Sequence, residues 1–257
     1  MTLKLRNLSC GYQSLPDPVI QSVETELLAG DFVCLVGRNG IGKSTLMRTI
    51  AGLQPALSGA VYIQDKMVSK LSASERAKHI AVVTTEKVSS PGLVVDDVLA
   101  LGRLPYTNWQ NQLSDQDIEI INATRHLTQI TEFTGLPLNS LLDGQRQRVM
   151  IARAMIQTPQ IMVLDEITAF LDLPSRVEVM AMLRNYAREH GCIVLLSSHD
   201  LDLSLELADK IWLLTEKKLH DGTPESIINA GHISQAFSSK DIVFDSQQKR
   251  FKFRKEE

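Results

Sequence analysis

The stretch Gly37-Arg38-Asn39-Gly40-Ile41-Gly42-Lys43-Ser44-Thr45 constrains this chain more than any other. It matches the pattern G-x-x-x-x-G-K-[ST] at every fixed position. The residues before it, Asp31-Phe32-Val33-Cys34-Leu35-Val36, are mostly apolar and read as a buried strand. Those after it, from Ser44 to Ala51, read as the opening of a helix. Strand, glycine-rich loop and helix form the context that a phosphate-binding loop needs. The glycines let the backbone turn tightly and aim successive N–H groups at phosphate oxygens. The helix start adds unpaired donors and a positive dipole end. Lys43 is placed to reach β- and γ-phosphates, and the Ser44 hydroxyl to ligate Mg²⁺.

The rest of the chain is consistent with one large α/β unit, or a core with an inserted subdomain. It has 257 residues, 44% of them hydrophobic. A net charge of -3 gives no electrostatic basis for nucleic acid as the main ligand. The basic residues near the end, from Lys249 to Lys255, read as a solvated tail. Three cysteines, Cys10, Cys34 and Cys192, have no metal-binding spacing. Cys34 and Cys192 lie in or beside apolar strands and read as small core residues in a reducing compartment. No signal-like apolar segment and no run of membrane-spanning length is present, so the chain reads as soluble yet able to sit on a membrane protein.

In chain order, residues 3–8 alternate apolar and polar and predict a strand at a sheet edge. Tyr12 follows Gly11 and suits either a turn or a ring stacked on adenine. Residues 19–28 predict a strand that turns at Ala29-Gly30 into the phosphate-loop strand. Short strands are expected at 60–64 and 80–84. Between them, Ser72-Ala73-Ser74-Glu75 has capping-box spacing and predicts a helix to His79. Residues 87–92 form a polar loop where a subdomain begins. Helices are predicted at 94–102, at 114 to about 131, and behind a turn at Asp143-Gly144-Gln145 through Ile156. Ile161-Met162-Val163-Leu164 predicts a buried strand that presents Asp165 and Glu166. The first suits a Mg²⁺-associated carboxylate, and the second can orient or deprotonate a water. A helix with Pro174 in its first turn should stop at Gly191. Residues 193–196 predict another buried strand, which puts His199 at the same sheet edge. A last strand is expected at 211–214, and a capped helix start at Thr223-Pro224.

Taken together, these residues resemble the ATPase subunit of an ABC transporter, over residues 3–228 and with the motifs in the family's order. Gly37 to Ser44 looks like Walker A and Ile161 to Asp165 like Walker B. Glu166 falls at the catalytic glutamate, Leu141 to Gln147 at the signature, Ala169-Phe170-Leu171-Asp172 at the D-loop, and His199 at the switch histidine. Tyr12 falls at the adenine-stacking position. Leu99 to Arg103, Pro105-Tyr106 and Gly144 to Val149 look most like importers of iron chelates, haem or cobalamin. Three positions depart from the pattern. Leu142 stands where the signature has serine, Thr85 and Glu86 stand where the Q-loop has glutamine, and Ile167 stands where proline follows the glutamate.

The resemblance implies a P-loop core of ABC-ATPase type with an N-terminal antiparallel β portion. The core would comprise residues 1–87 and 158–230, the helical signature subdomain 88–157, and a C-terminal extension 231–257. It also implies that two copies sandwich two ATP molecules, the loop at Gly37 of one facing Leu142, Asp143, Gly144 and Gln145 of the other. Mg²⁺ would be held by Ser44, Thr85 and Asp165, while Lys43, Glu166 and His199 act on the γ-phosphate and the water. Two transmembrane permease subunits would place the chain at the cytoplasmic face of the plasma membrane. An ATP-gated regulatory subunit with negligible hydrolysis and a soluble ABC ATPase without a membrane partner are the competing readings. A small-molecule kinase fits least, because no acceptor site is discernible.

Overall fold

The computed structural model describes residues 1–14, 17–84, 92–238 and 241–253. The strands are β1 (Thr2–Cys10), β2 (Ile20–Leu28), β3 (Phe32–Val36), β4 (Ser58–Ile63), β5 (Lys66–Met67), β6 (Ile80–Val83), β7 (Ile161–Asp165), β8 (Ile193–Ser197), β9 (Lys210–Thr215), β10 (Lys218–Gly222), β11 (Ile242–Asp245) and β12 (Arg250–Phe253). The helices are α1 (Lys43–Ile50), α2 (Ala73–His79), α3 (Val95–Leu101), α4 (Asp115–Leu127), α5 (Asp143–Ile156), α6 (Leu173–His190), α7 (Leu201–Leu207), α8 (Pro224–Asn229) and α9 (His232–Phe237).

The larger sheet has the order β10-β9-β3-β8-β7-β6. Its neighbours run parallel from β9 to β6, and only β10 pairs antiparallel. Both faces are covered, which is why its strands are apolar without alternation. Phe32, Cys34, Met162, Leu164, Val194 and Leu196 enter one hydrophobic cluster, shared with α3, α5 and α6. Val33, Leu35, Ile161, Val163, Ile193 and Leu195 enter a second, shared with α1 and the N-terminal strands. The smaller sheet is antiparallel, in the order β2-β1-β4-β5. The chain is thus mixed α/β, and the parallel strands β3, β7 and β8 end at one edge. All three cysteines are buried and free, and burial pushes the Cys34 and Cys192 thiols up to about 12.

Three expectations need correction. β1 is an inner strand, paired with β2 on one side and β4 on the other. Its alternation records one buried face, and that pattern is the same for an edge strand and an inner one. The helix from Ser114 stops at Leu127, because Gln129 takes a left-handed φ of 55° and the chain breaks into a short 3₁₀ turn. Asp143-Gly144-Gln145 is the first turn of α5 itself, with Leu142 at its N-cap. Gly144 allows a close approach: a Cβ there would lie 3.1 Å from Leu171 Cδ2, and the leucine would have to shift to admit it. The capping box at Ser72, the helix start at Ser114 and the helix stop at Gly191 (φ 61°) form as expected, and the structure adds a second capping box at Ser114. Among the described residues no helix is long and apolar enough to cross a membrane.

Candidate functional site

The phosphate loop joins β3 to α1 at the C-terminal edge of the parallel sheet. Gly42 caps α1 at φ 109°, and a Cβ there would lie 2.4 Å from Val19 Cγ1, so only glycine fits. Lys43 is buried, with 4% of its surface exposed, and its Nζ donates to the Gly37 carbonyl at 3.0 Å. Burial pulls its pKa below the ordinary lysine value, and the nearby Glu166 and Asp165 carboxylates partly oppose that. Arg38, Asn39 and Gly40 are exposed at the rim, while Ile41 and Ser44 are half-buried and Thr45 is buried. Tyr12 is half exposed, and its hydroxyl lies 3.4 Å from Thr45 Oγ1, so the ring stands beside the start of α1.

β7 and β8 deliver the acids and the histidine. Their parallel register sets Asp165 beside Ser197. Ser197 Oγ donates to Asp165 Oδ1 at 2.6 Å and accepts the Glu166 N–H at 2.8 Å. Glu166 sits at φ 52°, a left-handed conformation that side-chain-bearing residues adopt at a cost. Ser197 therefore ties both acids in place. Sequence reasoning passed over it as a strand end; strand register, which a sequence does not display, is the missing signal. Glu166 Oε1 lies 2.7 Å from His199 Nε2 and 4.0 Å from Lys43 Nζ. His199 in turn is fixed by its neighbours. Ser198 Oγ accepts the Asp200 N–H, the Asp200 carboxylate caps α7, and Arg176 of α6 reaches that carboxylate at 3.5 Å. Lys43, Asp165, Glu166 and His199 thus meet at one point.

The residues from Leu142 to Gln145 line a different cleft, of about 810 Å³, together with Phe170 and Asp172. Leu142 is 72% exposed and offers no side-chain cap. Its N–H donates to Gln145 Oε1 at 3.0 Å, so Gln145 caps its own helix. Asp143 Oδ1 lies 3.0 Å from Arg146. The chain therefore carries two separate clefts, one at the phosphate loop with its acids and one at the N-terminus of α5. Thr85 and Glu86 lie outside the described residues.

A family profile described as ABC transporter matches residues 20–169. This chain belongs to that family. It is an ABC ATPase, an ATP-binding subunit whose curated relatives cover almost its whole length. It is 35% identical to an uncharacterized ABC transporter ATP-binding protein of Methanocaldococcus jannaschii, over 94% of this chain and 83% of the relative. It is 33% identical to an achromobactin transport ATP-binding protein of Dickeya dadantii, over 91% and 86% respectively. Against the dimeric structure of a bacterial ABC transporter cassette it has a TM-score of 0.75 at 24% identity, covering 86% of this chain and 98% of that one, which establishes the shared fold.

The stretch that looked most importer-like does structural work in this ABC ATPase. Gly102 packs against α5, where a Cβ would meet the Arg153 carbonyl at 2.6 Å. The Arg103 guanidinium carbon lies 4.1 Å from the Tyr106 ring centroid, and Arg103 bonds Asp117 at 2.6 Å and the Ile156 carbonyl at 2.9 Å. These residues brace the helical segment from inside.

Proposed function

We propose that this ABC ATPase powers uptake of an iron chelate, haem or cobalamin through two transmembrane permease subunits at the cytoplasmic face of the plasma membrane. The cargo class rests on its relatives, which include a hemin import ATP-binding protein of Streptomyces coelicolor, 34% identical over 88% of this chain. The catalytic half of the reading rests on one observation: His199 and Lys43 both converge on Glu166 Oε1. Two copies close over two ATP molecules, and the helical segment is the docking surface for the permeases. The division of the chain at 87, 157 and 230 goes with this reading.

In that arrangement the N–H groups of the loop and Lys43 hold the triphosphate. Glu166 orients the water and takes its proton as the γ-phosphoryl group departs from ADP. His199 stabilises the charge that develops on the γ-phosphate and keeps the Glu166 carboxylate turned towards the water. Ser44 and Asp165 supply a hydroxyl and a carboxylate, hard oxygen donors that suit Mg²⁺. Asp165 has its Oδ1 bonded by the Ser197 hydroxyl, which fixes the group in place. Ser44 and Asp165 would hold Mg²⁺, which would supply charge neutralisation on the triphosphate. Thr85 is the third oxygen donor of the same proposal, and Tyr12 is the ring against adenine.

Co-purification from the native cell tests the transport reading: an integral membrane partner is expected, and a chain recovered alone after mild detergent extraction refutes it. A second reading, an ATP-gated regulatory subunit with negligible hydrolysis, is favoured by exposed Leu142 in place of a hydroxyl. Mg-ATP turnover of the purified protein separates the two.

A further inference from the structure

The C-terminal segment folds back onto the nucleotide edge of the sheet. α9 and the β11–β12 hairpin bring three phenylalanines together. Phe251 has its ring centroid 6.1 Å from that of Phe237 and 5.2 Å from that of Phe244, both edge-on. Phe237 and Phe251 form one wall of a cleft of about 460 Å³. Arg38, Asn39, Ser198 and His199 line the rest of it. The nucleotide site of this ABC ATPase is thus continuous with an aromatic pocket built by residues beyond the parallel sheet. Elsewhere on the surface, Phe170 is 53% exposed and shares the other cleft with Gly144.

We propose that the cleft between the phosphate loop and the C-terminal hairpin receives Phe170 of a second copy of this chain, making Phe237 and Phe251 part of the ATP-dependent dimer interface. This rests on the sandwich reading above. If Gly144 of one copy faces Gly37 of the other, two-fold symmetry carries everything near Gly144 towards everything near Gly37. Phe170 lies near the first, and the aromatic cleft opens beside the second. An exposed ring gains by entering a pocket walled by ring edges, and aromatic pairs favour such geometry. Charge agrees as well. Asp172 follows Phe170 closely, and hydrogen bonds from the Ser175 hydroxyl and amide hold its carboxyl below the usual range. Arg38 stands exposed at the receiving mouth. The C-terminal segment then acts as a clamp sensitive to ATP, although it lies outside the phosphate-binding elements.

The test uses the full chain in a Glu166→Gln background, which should accumulate the ATP-bound dimer. Phe170→Cys and Phe251→Cys are combined. The native cysteines are buried and do not compete. Under mild oxidation a cross-linked dimer is expected in ATP and not in ADP, and neither single cysteine variant should give it. Separately, Phe170→Ala and Phe251→Ala should each weaken the ATP dimer about tenfold, as interface anchors do. The double variant should be little worse than either, because both remove one contact. If the Glu166→Gln protein dimerises in ATP but shows neither the cross-link nor the weakening, this inference is overturned and the sandwich stands. A bond formed only within one chain overturns it as well. A protein that never dimerises in ATP overturns both readings.

Discussion

At the scale of single residues, the site depends on charges held where a phosphate would come. Lys43→Ala removes the one buried cation at the loop, so nucleotide binding should fall below detection in an ATP fluorescence titration; undiminished affinity would remove the loop from the site. Glu166→Gln keeps the shape and the hydrogen bond to His199 but loses the base. Turnover should drop by about 10²–10⁴-fold with ATP affinity kept, measured as phosphate release at saturating ATP. Ser197 has no direct phosphate role, yet its hydroxyl links Asp165 Oδ1 to the strained Glu166 backbone. Its side chain is fully buried. Ser197→Ala leaves a carboxylate oxygen and an N–H unpaired, and a hydrogen bond to a charged group contributes about 1.5–3 kcal/mol. Unfolding in urea should show a loss of that size, and turnover should fall more than ATP affinity. An unchanged urea midpoint would mean that water replaces the hydroxyl.

At the scale of elements, the helical segment is held by one buried ion pair. Arg103 and Asp117 are each 6% exposed and 2.6 Å apart. Burial by itself would raise the Asp117 carboxyl, but hydrogen bonds from the Ser114 amide and hydroxyl, with Arg103 beside it, more than offset that and lower it. A depressed folded-state value contributes stability above the unfolded carboxyl value of about 3.9, lost as pH falls through the folded one. Asp117→Asn leaves Arg103 buried without its counter-charge, at a cost of about 3–5 kcal/mol. Thermal unfolding at pH 7 should show that loss, and the variant should lack the Asp117 share of acid destabilisation below about pH 4. This pair also shows where the sequence was readable. The helix start at Ser114 was visible, and its capping box joins partners only three residues apart. The bond from Arg103 to Asp117 was not, since it joins different elements, so the packing role of the importer-like motif around Arg103 shows only in the structure. The phosphate loop, the capping box at Ser72, the helix start at Ser114 and the acid-bearing strand β7 were legible because each is a local pattern. The inner position of β1, Ser197 and the aromatic wall of Phe237 and Phe251 depend on pairing across the chain, which no local pattern records.

At the scale of the whole molecule, the phosphate-loop cleft and the cleft at the N-terminus of α5 are separate on one chain, so in the proposed function, activity depends on how well two chains close. Leu142 is the position at which closure is weakest in this proposal. It stands at the N-cap of α5, where serine would both cap the helix and offer a hydroxyl to the partner's γ-phosphate. Leucine does neither. Its exposed apolar side chain would be carried towards a triphosphate, desolvating the anion without pairing it. The N–H groups of the first turn of α5 and the helix dipole remain, so closure is weakened without being lost. Leu142→Ser restores one hydrogen bond to a charged group at each of two symmetric sites, about 1.5–3 kcal/mol apiece. In the Glu166→Gln background the ATP-bound dimer should then tighten by at least tenfold, since about 1.4 kcal/mol is already tenfold, read by sedimentation or light scattering across protein concentration. In the otherwise unaltered protein, steady-state turnover should rise. Should both quantities stay the same, the first turn of α5 binds phosphate through its backbone alone, Gln145 already serves as the cap through its bond to the Leu142 N–H, and the leucine belongs to a closure that never used the hydroxyl.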